Sequence, residues 1–158
     1  MRYIILFIYL LINLIYEDNT KLTFVSQEIS VFKEIEPIKV EEVIKTYYGP
    51  MTGYGPDCRG CIGITASGYN VLKNIYYDDK EYGQVRIVAA DKTLPFGTII
   101  RIKDLNVFKD DVYAIVLDRG SAIGFNKNSY FDLLYPSEKD TFFFGKHYAT
   151  FEVLRIGF

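Results

Sequence analysis

Val112-Tyr113-Ala114-Ile115-Val116-Leu117, ending on Asp118-Arg119-Gly120-Ser121-Ala122-Ile123-Gly124, is the stretch that decides the fold. A nearly continuous apolar run closed by a charged, glycine-bearing loop reads as a strand buried on both faces. Similar runs lie on either side of it. Gln84 to Ala90 alternates and is rich in Val and Ile, and Thr98 to Ile102 follows the turn Leu94-Pro95-Phe96-Gly97. Tyr130 to Leu134 is another short run, and Ala149 to Ile156 alternates again. Upstream, Tyr47-Tyr48-Gly49-Pro50 and Gly53-Tyr54-Gly55-Pro56 carry turn signals. Ser137 caps a predicted helix, with Asp140 three residues on and Gly145 as its stop. Five or six short strands with one helix predict a mainly β fold, a compact β-barrel over residues 46–158.

Composition limits the chemistry this barrel can carry. The chain has 158 residues, 18 Lys plus Arg, 20 Asp plus Glu and one His, for a net charge of −2. That balance provides no basic field for nucleic acid. A single imidazole, His147, cannot build a His-rich catalytic metal site, and two cysteines cannot close a Cys₄ zinc site. No metal and no cofactor is expected, and carboxylates are left as the reactive groups. Aromatic content is 16% without any Trp, so any sugar stacking falls to Tyr.

The N-terminus bears on the compartment. Arg2 precedes an apolar run from Tyr3 to Tyr16. Its length fits a signal-peptide core and falls short of a confident spanning helix. Residues 1–16 read as a signal peptide or a retained membrane anchor, and residues 17–45 as a spacer of net charge −3. Either reading of the first segment places the rest outside the cytoplasm, extracellular or at the cell wall. Contact with a membrane is expected only through this segment.

Three aspartates stand out by position. Asp118 ends the buried run, where a carboxylate is held rigidly beside an open loop; an Asp that merely starts a turn is the plainer reading. Asp132 lies inside Tyr130-Phe131-Asp132-Leu133-Leu134-Tyr135, an unusual place for a residue depleted in strands. Facing the apolar side, it stays protonated near neutral pH, as a general acid must; facing water, it is ordinary alternation. Asp91 precedes Lys92-Thr93-Leu94-Pro95 and either caps a turn or adds a third carboxylate. Cys58 and Cys61 lie three apart, a tight disulfide or two thiols. Tyr54, Tyr69 and their neighbours either line a carbohydrate groove or pack ordinarily.

These motifs occur in a recognisable order. Thr52-Gly53-Tyr54-Gly55-Pro56-Asp57-Cys58-Arg59-Gly60-Cys61 runs on through Thr65-Ala66-Ser67-Gly68-Tyr69. Then follow Arg86-Ile87-Val88-Ala89-Ala90-Asp91, Leu94-Pro95-Phe96-Gly97-Thr98, Val116-Leu117-Asp118-Arg119-Gly120 and Phe131-Asp132-Leu133-Leu134-Tyr135. Over about residues 50–158 the chain resembles the 3D (Asp-Asp-Asp) domain, found in secreted cell-wall proteins and in membrane-bound lytic transglycosylases. The resemblance implies a six-stranded double-psi β-barrel with one or two short helices, which cleaves peptidoglycan between N-acetylmuramic acid and N-acetylglucosamine. It implies Asp132 as the catalytic acid, Asp118 as its close partner and Asp91 as the third aspartate. Thr65, Arg119, Gly120, Tyr54 and Tyr69 are the candidate substrate-binding residues beside them. The family's usual Thr-Gly-Gly-Ala-Ile is Arg119-Gly120-Ser121-Ala122-Ile123 here, and the loop leading to Asp132 is longer. The expected activity is lytic transglycosylation on peptidoglycan strands. A hydrolase using the same carboxylates with water, and a glycan-binding barrel without turnover, are the alternatives.

Overall fold

The computed structural model describes residues 41–158. The expectations for residues 1–16, and for the spacer up to residue 40, lie outside the described residues. Seven strands and one helix follow in order: β1 (Lys45–Tyr54), β2 (Tyr76–Asp79), β3 (Gly83–Ala90), β4 (Ile99–Lys103), β5 (Val112–Asp118), β6 (Phe131–Leu134), α1 (Glu138–Phe144) and β7 (His147–Arg155). Six strands close a barrel in the order β3-β5-β4-β7-β1-β6, because β6 returns to pair with β3. Two pairs, β1–β6 and β3–β5, are parallel, and the others are antiparallel. This is the mainly β barrel that the strand runs predict, with the six strands that the resemblance implies and a single short helix. β2 stands outside the closed ring as an antiparallel partner to the first half of β3.

Two apolar clusters hold the fold together. Met51, Val88, Ile100, Val116, Phe131 and Phe151 belong to one that fills the barrel. Val71, Val85, Ile87, Ile115, Leu117 and Leu134 belong to a second on the outer side of the sheet. β3 and β5 therefore bury both faces, as the unbroken run before Asp118 predicts.

The strand limits match the predicted runs within a residue or two, with two additions. Tyr47 to Tyr54 carries turn residues, yet Lys45–Tyr54 is a ten-residue strand. The glycines there serve packing. A Cβ on Gly49 would stand 2.2 Å from the Tyr130 ring, and one on Gly53 would meet Tyr135 at 3.0 Å. Pro50 is tolerated because its carbonyl accepts from Tyr130 N while the β6 ladder begins only at Met51. The missing N–H thus costs no ladder bond. β2 is the second addition, a four-residue segment too short to show a pattern.

The helix follows its sequence signals. Ser137 Oγ accepts from Asp140 N, and Gly145 ends α1 at φ 67°. Phe144 buries itself against Tyr135. Ahead of β1, Ile44 N donates to Val153 O, and Glu41 accepts from Arg101 and from the Tyr113 hydroxyl. Among the described residues no helix is long and apolar enough to cross a membrane.

Candidate active site

The strand register brings two of the three aspartates together. Asp132 on β6 is paired with Thr52 on β1 and with Ala89 on β3. Ala89 is in turn paired with Asp118 on β5. Directly paired residues project to the same face, so Thr52, Asp132, Ala89 and Asp118 form a row across four strands. Phe131 and Leu133 point into the barrel, which puts Asp132 and its row on the outer face. Only the methyl of Ala89 separates the two acids.

Asp118 reaches that face through an irregularity. The β3–β5 register shifts between Val88 and Ala89: Val88 faces Val116, but Ala89 faces Asp118. Leu117 is left over, and the bulge aims Asp118 to the same side as Leu117. Strict alternation would have turned Asp118 into the barrel.

Once there, Asp118 is heavily bonded. Its Oδ2 accepts from the Tyr54 hydroxyl at 2.8 Å. Its Oδ1 accepts from Ala66 N and Arg119 N, both at 2.8 Å. Tyr54 loses acidity, first through burial and then through Asp118, so it stays a proton donor. Asp132 is the opposite case. Its Oδ1 is buried and has no hydrogen-bond partner. Burial, against the pull of the neighbouring Thr52 hydroxyl, pushes its carboxyl up to about 6, and Glu138 and Asp118 add to the rise. One carboxyl is thus tied to three donors, and the other is kept short of them.

Asp91 is placed differently. Its Oδ1 accepts from Thr93 N in a tight turn, which with Thr93, Phe125 and Arg119 lowers its pKa. It sits against Gly124, where a Cβ would come within 2.4 Å of Oδ2. It braces the loop after β5. Arg119 lies within electrostatic reach of Asp91 and Asp118. Its guanidinium donates to Leu94 O at 2.7 Å and to Asp118 O at 3.1 Å, and it stacks on Phe96. Gly120 approaches Ile123 so closely that a Cβ would clash at 2.7 Å.

The loop between β1 and β2 walls the site. Thr65 is buried, and its hydroxyl accepts from Tyr69 N; this turn points Ala66 N at Asp118. Tyr69 packs edge-on to Tyr77 against the outer cluster. Cys58 and Cys61 form a disulfide, with Cα atoms 5.1 Å apart. A cleft of about 270 Å³ opens over Asp118, lined among others by Tyr54, Cys61, Ile62, Ile64, Ala66 and Arg119. Asp132 is not on its lining and lies on the far side of Ala89. Ala89, the Thr52–Ser129 hydroxyl pair at 3.1 Å and Glu138 escape the sequence reading. Thr52 and Ala89 lie inside the quoted motifs without chemistry of their own to mark them, Ser129 and Glu138 lie outside them, and register or loop contact brings each into place.

No family profile matches the chain. It is 29% identical over 132 residues to YorM, an uncharacterized protein derived from the SPbeta prophage in Bacillus subtilis (strain 168), across 82% of this chain and 48% of YorM. It is 28% identical over 104 residues to YabE of the same strain, whose name assigns it provisionally to cell wall shaping, across 65% of this chain and 21% of YabE. The chain therefore spans less than half the length of either relative.

Proposed function

We propose that this barrel is a peptidoglycan lytic transglycosylase, with Asp132 as general acid and then base. The observation that carries the reading is the contrast within one row: a half-buried Asp132, one oxygen of which is buried without a partner, held up to about 6, across a single Ala89 from an Asp118 that accepts three bonds. Environments that separate two carboxyls in this way suit one proton donor and one electrostatic partner. Protonated Asp132 donates to the glycosidic oxygen as the C1–O bond breaks. The ionised group then takes the proton of the muramic-acid 6-hydroxyl as that oxygen bonds to C1. The product is a 1,6-anhydro end, and no water is consumed. Asp118 stabilises the oxocarbenium-like charge. The cell wall as target agrees with the name of the relative YabE, and the apolar run from Tyr3 to Tyr16 supports a place outside the cytoplasm.

The test is digestion of purified peptidoglycan near pH 5.5 with product masses as the readout. Anhydro ends are expected from the wild type, and none from Asp132→Asn with its circular dichroism unchanged. Wild-type turnover in Asp132→Asn removes the assignment of the acid. Reducing ends instead mean hydrolysis. One observation favours a second reading, a glycan-binding barrel without turnover: Asp118 already accepts three bonds, as a purely structural aspartate does. Glycan binding with no product from the wild type selects it.

A further inference from the structure

The wall of the cleft over Asp118 contains a covalent bond that can open. Cys61 lines the cleft between Gly60 and Ile62, and its sulfur is joined to that of Cys58. Cys61 is exposed and Cys58 half-buried, so the pair lies within reach of a dissolved reagent. The bond spans only Arg59 and Gly60. A loop this short removes little entropy from the unfolded chain, which makes the disulfide a weak staple for the fold.

What it fixes is local, because anchors stand on both sides of it. Ahead, Gly55 N donates to Glu138 Oε2 at 2.9 Å, and Glu138 N donates to Asp57 Oδ1 at 2.6 Å. Behind, Val71 N donates to Gly63 O and Thr65 N to Tyr69 O, which closes a small hairpin. Ser67 N on Leu117 O and Ala66 N on Asp118 Oδ1 moor that hairpin to β5. Cys58 to Ile62 bridges the two anchors in tight turns, with Cys58 N on Gly55 O and Cys61 N on Cys58 O. Ile62, 77% exposed, sits on the cleft wall at the end of this bridge. The disulfide thus governs the shape of one wall, while Tyr54 and Ala66 hold Asp118 from either side of it.

We propose that Cys58–Cys61 is a thiol–disulfide exchange site whose two states set the wall of the cleft. Its reagent is a dithiol. A thiolate of the reagent attacks the exposed Cys61 sulfur, and the Cys58 sulfur leaves and takes a proton. The second thiol of the reagent then attacks its own sulfur in the mixed disulfide and releases Cys61 as a thiol. The protein gains two electrons and two protons, and the dithiol departs as a disulfide. Reduction frees the bridge and keeps both anchors, so the cleft loses a shaped wall but not Asp118. The exchange itself does not depend on the reaction assigned to the cleft.

The test uses the full chain and dithiothreitol as the dithiol. Millimolar reagent should open the bond, read as two alkylated cysteines by mass, and oxidised reagent should close it again. Cooperative thermal unfolding should persist in the reduced protein. Amide NMR signals of Ile62 and Ile64 should shift, and those of the β4–β7 ladder should stay. On peptidoglycan, KM should rise several-fold with kcat kept, since the wall binds and does not react. Cys58→Ser with Cys61→Ser should match the reduced protein and ignore the reagent. A bond that stays closed, unfolding on reduction, unmoved Ile62 and Ile64 signals, or an unchanged KM in an active enzyme overturns the proposal. If neither redox state makes anhydro ends, the assigned reaction falls, and the exchange site stands on the mass and NMR results.

Discussion

Two aspartates in this barrel, Asp79 buried and Asp132 half-buried, are driven in opposite directions. Asp79 accepts two bonds from the Arg155 guanidinium, at 2.9 and 2.6 Å, and is held down at about 2. Asp132 has burial without a cation and rises to about 6. The first ties β2 to the end of β7 and is structural. The second costs stability whenever it ionises. Because its folded pKa lies above the ordinary value, the native state holds the proton longer than the unfolded chain does. The cost is absent below about pH 4, grows as pH rises through 6, and is complete above that. Asp132→Asn is therefore expected to stabilise the protein by about 2–3 kcal/mol at pH 8 and to leave it nearly unchanged at pH 4. Denaturant unfolding at the two pH values measures this; equal effects at both would show that Asp132 is not the strained group. From the sequence, Asp132 is legible only as an Asp inside an apolar run. Which face it takes depends on the pairing of β6 with β1 and β3.

At the scale of elements, the site is shaped by one bulge and one close approach. The shift between Val88 and Ala89 turns Asp118 outward. The apolar run places Asp118 at the end of β5 without saying which face it takes, because a bulge leaves no mark in residue types. Gly55 is the close approach: a Cβ there would stand 2.3 Å from Ser137 C and 2.0 Å from Glu138 N, so the cleft loop lies against that backbone only because the residue is glycine. Neither neighbour is a flexible side chain. Gly55→Ala should lower stability by about 3 kcal/mol through overpacking and uncouple the loop from α1. Thermal unfolding, together with hydrogen exchange at Gly55 N, checks both effects. The same glycines that read as turns in the sequence are close-packing positions in a strand and its exit. A glycine pattern alone does not distinguish these two uses.

At the scale of the whole molecule, closure depends on the end of the chain. β7 lies between β4 and β1, and β1 pairs with β6 and β7 across most of the barrel's length in sequence. Such non-local pairing folds slowly and all at once. A chain lacking residues 147–158 loses β7, so it should show no cooperative unfolding transition by circular dichroism. A cooperative transition in that truncation would mean that the remaining strands hold a core without closure. The sequence by itself determined the strand runs, the capped helix and the position of Asp118 at a strand end, because these follow from local periodicity and from turn and cap chemistry. Only the tertiary structure decided that Asp118 and Asp132 share one outer face across Ala89, that Asp91 braces a loop, and that Glu138 is bonded to the cleft loop at Gly55 and Asp57. Those placements come from register, a bulge and loop contacts between residues distant in sequence, and no local pattern encodes them.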